Sequence, residues 1–163
     1  MTCVISGIGK TCAAAATAWA AGLQHTSASI CWINLGVAGG ADHSIGDIFR
    51  LDRITEKQTD RSHYPVTVFH SDIKTASCIS LDQASIDYHP ADLYDMEASA
   101  FFSTALRFSS VELVHSLKII GDNRDQPPEQ DKSIVSALVS EQIRPITGFA
   151  ESLITLNEKK CYE

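Results

Sequence analysis

The chain has 163 residues, 44% of them hydrophobic and 20% charged, which suits one core in one domain over residues 1–163 with an ordinary soluble balance. Its formal net charge of −7 argues against an electrostatic hold on nucleic acid or on an anionic membrane surface. No apolar stretch is long enough to span a bilayer, since Gln24, His25 and Thr26 end the Ala-rich segment after Lys10. The five cysteines (Cys3, Cys12, Cys31, Cys78 and Cys161) are scattered, odd in number and without a C-x-x-C pair. Lys10 follows the first apolar run instead of preceding it, so no signal peptide is read, and a reduced cytoplasmic setting is expected.

In chain order, Thr2–Ser6 is a β-branched run closed by Gly7 and reads as a buried strand. Thr11–Gln24, rich in Ala, reads as a helix, and Ile30–Val37 as a second strand stopped by Gly39-Gly40. Together they fit a parallel βαβ unit. Asp47–Ile54, Pro65–His70 and Thr75–Leu81 are further strand candidates, with polar loops at Thr55–His63 and Gln83–Asp92. Tyr94–Phe108 reads as a helix whose buried face carries Ala98, Phe101, Phe102, Ala105 and Leu106. Glu112–Ile120 reads as a strand ending at Gly121-Asp122-Asn123, and the chain is helical from about Asp131, with Pro145 expected to kink or split that helix. The alternation argues for α/β, with helices on both faces of a mixed sheet.

Several motifs fail. Gly9-Lys10-Thr11 resembles the end of a phosphate-binding P-loop, but position 4 is Val where that loop needs its first glycine. Gly7-x-Gly9-x-x-Cys12 lacks the third glycine of a dinucleotide fingerprint. A tight turn into a helix is the favoured reading, and such a turn still offers N–H groups to a ligand. The six histidines show no metal-ligand spacing and read as surface or loop residues. No G-x-S-x-G elbow is present. Neither a metal nor a cofactor is expected.

Three segments sit where α/β proteins place function, at the carboxyl ends of strands: Asn34–Gly40, Tyr94–Ala100 and Ile120–Asn123. Each also has a plain structural reading. The glycines turn the chain, Glu97 complements a helix dipole, and Asp122 caps a turn.

Taken in order, S-G-I-G-K before an Ala-rich helix, N-x-G-x-A-G-G, D-M-E-A-x-A and a strand ending in G-D-N resemble the nucleoside phosphorylase/nucleosidase superfamily. They are most similar to the 5′-methylthioadenosine/S-adenosylhomocysteine nucleosidases. The resemblance runs from about Val4 to Asn123 and is poor between Ala41 and Asp92. It implies a phosphorylase/hydrolase-like three-layer sandwich, a mixed central sheet flanked by helices. It also implies a small purine nucleoside as partner and a homo-oligomer, dimer or larger. Met96 resembles the methionine that packs on the ribose, and Glu97 the glutamate that accepts hydrogen bonds from the ribose 2′- and 3′-hydroxyls. A carboxylate suits a vicinal diol because it accepts two hydrogen bonds at once. Asp122 resembles the catalytic aspartate that protonates purine N7 and so eases departure of the base. Val37, Ala38 and Gly39 fall where the family lines the ribose and nucleophile region.

The implied activity is hydrolysis of the N-glycosidic bond of a nucleoside or thionucleoside. Two alternatives stay open: a phosphate-dependent phosphorylase, and a catalytically degenerate nucleoside-binding relative. Asn34 stands where the hexameric phosphorylases place a phosphate-binding arginine, which tilts the choice towards hydrolysis. Val37 and Gly121 each stand where relatives carry Ser. The family also places a strand and a glutamate-bearing loop, which activates the attacking water, ahead of S-G-I-G-K. The chain starts a few residues before Ser6, so an N-terminally truncated version of the fold is expected.

Overall fold

The computed structural model describes residues 1–23, 30–85, 89, 92–127 and 132–160. Residues 1–9 lead irregularly into the first helix, with Ile5 and Ile8 95% and 78% exposed. The strand expected at Thr2–Ser6 and the βαβ unit built on it are therefore absent. A β-prone run becomes a strand only where a neighbour takes its N–H and C=O groups. Helix α1 (Lys10–Gly22) then forms as its alanines predict, entered through Gly9 at φ 95°, a conformation that favours glycine.

Strand β1 (Trp32–Gly40) runs through Gly39-Gly40 instead of stopping before them, and β2 (Ile48–Glu56) matches its expected strand closely. Strand β3 (Arg61–His63) arises inside the expected polar loop, as the return arm of a hairpin that pairs Ile54 with His63 and Glu56 with Arg61. Pro65–His70, expected as a strand, forms none. The β2 edge it would need is already taken by β3 and, further back, by the late strand. Strand β4 (Thr75–Ser80) is as read. An unexpected short strand, β5 (Asp92–Asp95), closes the Gln83–Asp92 loop, of which residues 86–88, 90 and 91 lie outside the described residues.

Helix α2 (Ala98–Ala105) is shorter than the expected Tyr94–Phe108 because Tyr94 and Asp95 are paired in β5. Its buried face is the expected one: Ala98, Phe101, Phe102 and Ala105 are buried and Leu106 half-buried. A 3₁₀ turn (Val111–Leu113) leads into β6 (Val114–Asp122), followed by α3 (Lys132–Glu141) and α4 (Ile143–Lys160). The last helix does split. The break falls at Gln142 and leaves Pro145 in the first turn of α4, where a missing N–H costs nothing.

The sheet is mixed, in the order β3-β2-β4-β5-β1-β6, and β6 pairs again with β2. Five strands thus close into a ring, with β3 attached outside it on β2. β1 lies parallel to β6 and antiparallel to β5, while β4 is parallel to both β2 and β5. Side chains alternate between the two faces of β6. Val114 and Ile120 join the cluster with Phe101 and Phe102 of α2, whereas Leu117 joins that of Phe149 and Leu153 of α4. Helices therefore cover both faces of this strand. His115, read from sequence as a surface histidine, is 0% exposed and lies between Phe69 and Phe149. Among the described residues no helix is long and apolar enough to cross a membrane.

Candidate functional site

Each of the three singled-out segments contributes to one of the neighbouring strands β5, β1 and β6. Gly39 is the register partner of Tyr94 on one side and of Asp122 on the other. The β1–β6 register slips between Ala38 and Gly39, leaving Gly121 as the extra residue. Bulges of this kind re-aim the residues beside them. Asn123 anchors the turn that follows: its Nδ2 donates to the His43 carbonyl at 2.9 Å, and its Oδ1 accepts from the backbone N–H of Asp125 and Gln126.

Glu97 stands at the bend between β5 and α2, its side chain 18% exposed. Its Oε1 accepts the Gly9 backbone N–H at 2.8 Å, so the turn read from S-G-I-G-K reaches this carboxylate. Lys10, the last residue of that motif, pairs with Glu56 at 2.9 Å and Asp82 at 2.6 Å. Burial works against its charge, but the two carboxylates more than offset this and hold its pKa above the ordinary value. Lys10 thus ties the start of α1 to the end of β2, and the glycine turn is held over Glu97.

Helix α2 is not capped by Glu97. The Asp95 carboxylate accepts the Ala98 N–H at 2.7 Å and the Glu97 N–H at 3.3 Å through Oδ2, and the Ser80 hydroxyl at 2.6 Å through Oδ1. The dipole-complementing role open to Glu97 is thereby filled by its neighbour, and Glu97 is left to face Gly9 and Lys118.

Lys118 is the group that sequence reasoning missed. It is 1% exposed, 2.8 Å from Asp95 and 3.9 Å from Glu97. Burial pushes its pKa down, but Asp95 and Glu97 pull harder and the net shift is upward. Burial likewise opposes ionisation of Asp95, and Lys118 reverses this, so the carboxyl sits below its ordinary value. The pair is charged on both sides. A Cβ added at Gly36 would lie 3.1 Å from the Lys118 Nζ, so the glycine of N-x-G gives the ammonium its path across β1. The available signal was a lone Lys inside the apolar run of β6, since lysine is rarely buried without a partner.

Val37 and Gly121, the two departures from the family pattern, prove to be neighbours. A Cβ built on Gly121 would meet the Val37 Cβ at 3.2 Å. Alternation along β1 puts the Val37 side chain on the face opposite Ala38, which is 3% exposed and belongs to the α2-side core. Met96 is half-buried beside Glu97, and Asp122 is half-buried at the end of β6. An open cleft of about 320 Å³ adjoins this region, lined by Lys10, Thr11 and Glu56 on one side and Ser99, Ala100 and Ser103 on the other. Val37, Ala38, Gly39, Met96, Glu97 and Asp122 do not line it.

No family model and no curated protein sequence matches the chain. Solved structures do. MTAN from Chlamydia trachomatis matches at a TM-score of 0.62 and 16% identity, over 96% of this chain and 76% of that one. The 5′-methylthioadenosine nucleosidase of Arabidopsis thaliana matches at 0.60 and 18% identity, over 93% and 70%. The 5′-methylthioadenosine/S-adenosylhomocysteine nucleosidase of S. pneumoniae, solved with a transition-state inhibitor, matches at 0.60 and 16%, over 92% and 78%. The chain has a nucleoside phosphorylase/nucleosidase-like fold.

Proposed function

We propose that the chain binds a purine nucleoside or thionucleoside at Glu97 and Asp122 and belongs to a nucleosidase that hydrolyses its N-glycosidic bond. The observation that carries this reading is the placement of Glu97. Its carboxylate is fixed by the Gly9 N–H and by the buried Lys118–Asp95 pair, one strand away from the end of β6 where Asp122 stands. A carboxylate has about four lone-pair positions, so the contact to Gly9 leaves Glu97 able to accept from a vicinal diol. Two of the similar solved structures support the ligand class: the Chlamydia trachomatis MTAN is described bound to MTA and bound to adenine.

In this reading Met96 packs on the sugar, and the backbone of Val37, Ala38 and Gly39 lines the ribose and nucleophile region. Asp122 donates a proton to N7 as the C1′–N9 bond breaks and its electron pair leaves with the base. Water adds to C1′ and gives up a proton, so free base and free sugar result. Asn34 supplies no cationic fork for phosphate, which favours water over phosphate as the acceptor. A three-layer arrangement of the fold, a cytoplasmic setting and a homo-oligomer belong to the same proposal.

The test is chromatographic detection of free base from a panel of purine nucleosides and thionucleosides. The expected result is release of base in phosphate-free buffer, lost on Asp122→Asn. Turnover that appears only with added phosphate makes the protein a phosphorylase. Binding without release, under either condition, makes it a non-catalytic nucleoside binder.

A further inference from the structure

Three polar side-chain atoms lie buried on one face of the β1–β6 pair without a hydrogen-bond partner among the described residues: Trp32 Nε1, Asn34 Oδ1 and Ser116 Oγ. Their positions are systematic. Trp32 pairs in register with Val114, Asn34 with Ser116, and Gly36 with Lys118. In parallel strands register partners share a face and residues two apart stay on it, with neighbouring strands about 4.8 Å apart. The three atoms therefore form a short polar seam that runs along the strands to Lys118, whose Nζ already leans across β1 at Gly36. Ser116 is 0% exposed, and the seam sits on the α2 side of β6 with Val114 and Ile120.

Each such group buried unpaired keeps the full penalty of its lost hydration. A donor, an acceptor and a group that does either could satisfy one another directly, but none of the three has a partner within hydrogen-bonding reach among the described residues. The indole N–H only donates, the amide oxygen only accepts, and the hydroxyl does either. A water accepts from the first, donates to the second and bonds the third in either sense. Its remaining capacity faces Lys118, whose ammonium carries more hydrogens than Asp95 takes up. Buried waters typically have about three such partners. We propose that the β1–β6 seam is an internal water site, held by Trp32, Asn34 and Ser116, that joins the Lys118–Asp95 pair to β1. The site rests on the fold and stands apart from the nucleoside reading, so the failure of either leaves the other in place.

The test combines a crystal structure at a resolution that shows ordered water with the thermal stability of Ser116→Ala. The expected results are density within hydrogen-bonding distance of Asn34 Oδ1 and Ser116 Oγ, and a fall in Tm of a few degrees on removal of the hydroxyl. If the hydroxyl is an unpaired liability, Ser116→Ala leaves Tm unchanged or raises it, and the proposal is overturned. Density showing Ser116 Oγ bonded directly to Asn34 Oδ1 with no water between them overturns it as well. Asn34→Asp keeps an acceptor in the seam but adds a charge, and it is expected to lower Tm more than Ser116→Ala; an Asn34→Asp protein as stable as the wild type would contradict a closed, fully bonded seam.

Discussion

Removing the Lys118 ammonium while leaving Asp95 in place strands a carboxylate whose side chain is 0% exposed. Breaking a buried pair from one side costs about 3–5 kcal/mol, because the remaining charge keeps its desolvation penalty. Lys118→Met should therefore lower unfolding free energy by about that much in urea titration, and the double variant Lys118→Met/Asp95→Asn should recover part of it. Full additivity of the two substitutions would contradict the coupling. The sign with pH follows from the shifts. The Asp95 contribution is present above the unfolded carboxyl value of 3.8 and is lost as pH falls through its lower folded value. The Lys118 contribution is present below 10.5 and is lost as pH rises through its higher folded value. His115 supplies a separate acid-side term. Burial among aromatic rings, with Arg50 nearby, lowers its pKa from 6.5 to about 4. Below 6.5 the unfolded chain takes up a proton that the folded chain refuses, so stability is lost progressively from pH 6.5 down to about 4. The loss amounts to roughly 3 kcal/mol. In His115→Phe this part of the pH profile should flatten, and an unchanged slope would contradict the assignment. The motifs around Glu97 and Asp122 could be singled out because they have order and spacing. Asp95 stood in the same D-M-E motif, but its role depends on Ser80 and Lys118, which sequence spacing does not bring together.

At the level of elements, the departures at positions 37 and 121 are best read as one adjustment. A side chain at Gly121 meets the Val37 Cβ at 3.2 Å, a distance at which Val37 must give by a few tenths of an ångström. Gly121→Ser is predicted to cost about 1–3 kcal/mol by overpacking in the native background. In a Val37→Gly background, which removes the contacting Cβ, the same substitution should cost less, and a double-mutant cycle by chemical denaturation reads the difference. A coupling energy near zero would show that the residues adjust independently. The elements that sequence misread share one cause. Thr2–Ser6 and Pro65–His70 have strand-like composition but pair with no strand, while Arg61–His63 and Asp92–Asp95 have weak composition but are offered a partner edge. Edges are a property of the assembled sheet and cannot be read from a local run. Helices α1 and α2 were legible because Ala content and a 3.6-residue stripe are local. The start of α2 was placed too early because Tyr94 and Asp95 go to β5.

Across the whole molecule, the ring of five strands brings distant motifs to one region: Gly9, Gly39, Glu97 and Asp122 belong to the first turn, β1, the β5–α2 bend and β6. The sequence predicted a mixed sheet with helices. The closing pair β2–β6 was invisible to it, because β2 changes partner along its length, from β6 at Ile48–Arg50 to β3 at Ile54–Glu56. The central claim is that Glu97 holds the sugar of a nucleoside in this region, and it predicts a specific contrast. Equilibrium binding of 5′-methylthioadenosine and of free adenine should be measured side by side for the wild type and for Glu97→Gln. Losing a charged acceptor to the ribose diol is expected to weaken the nucleoside by about tenfold or more and to leave adenine, which has no ribose, unchanged. Equal weakening of both ligands, or of neither, would contradict the account.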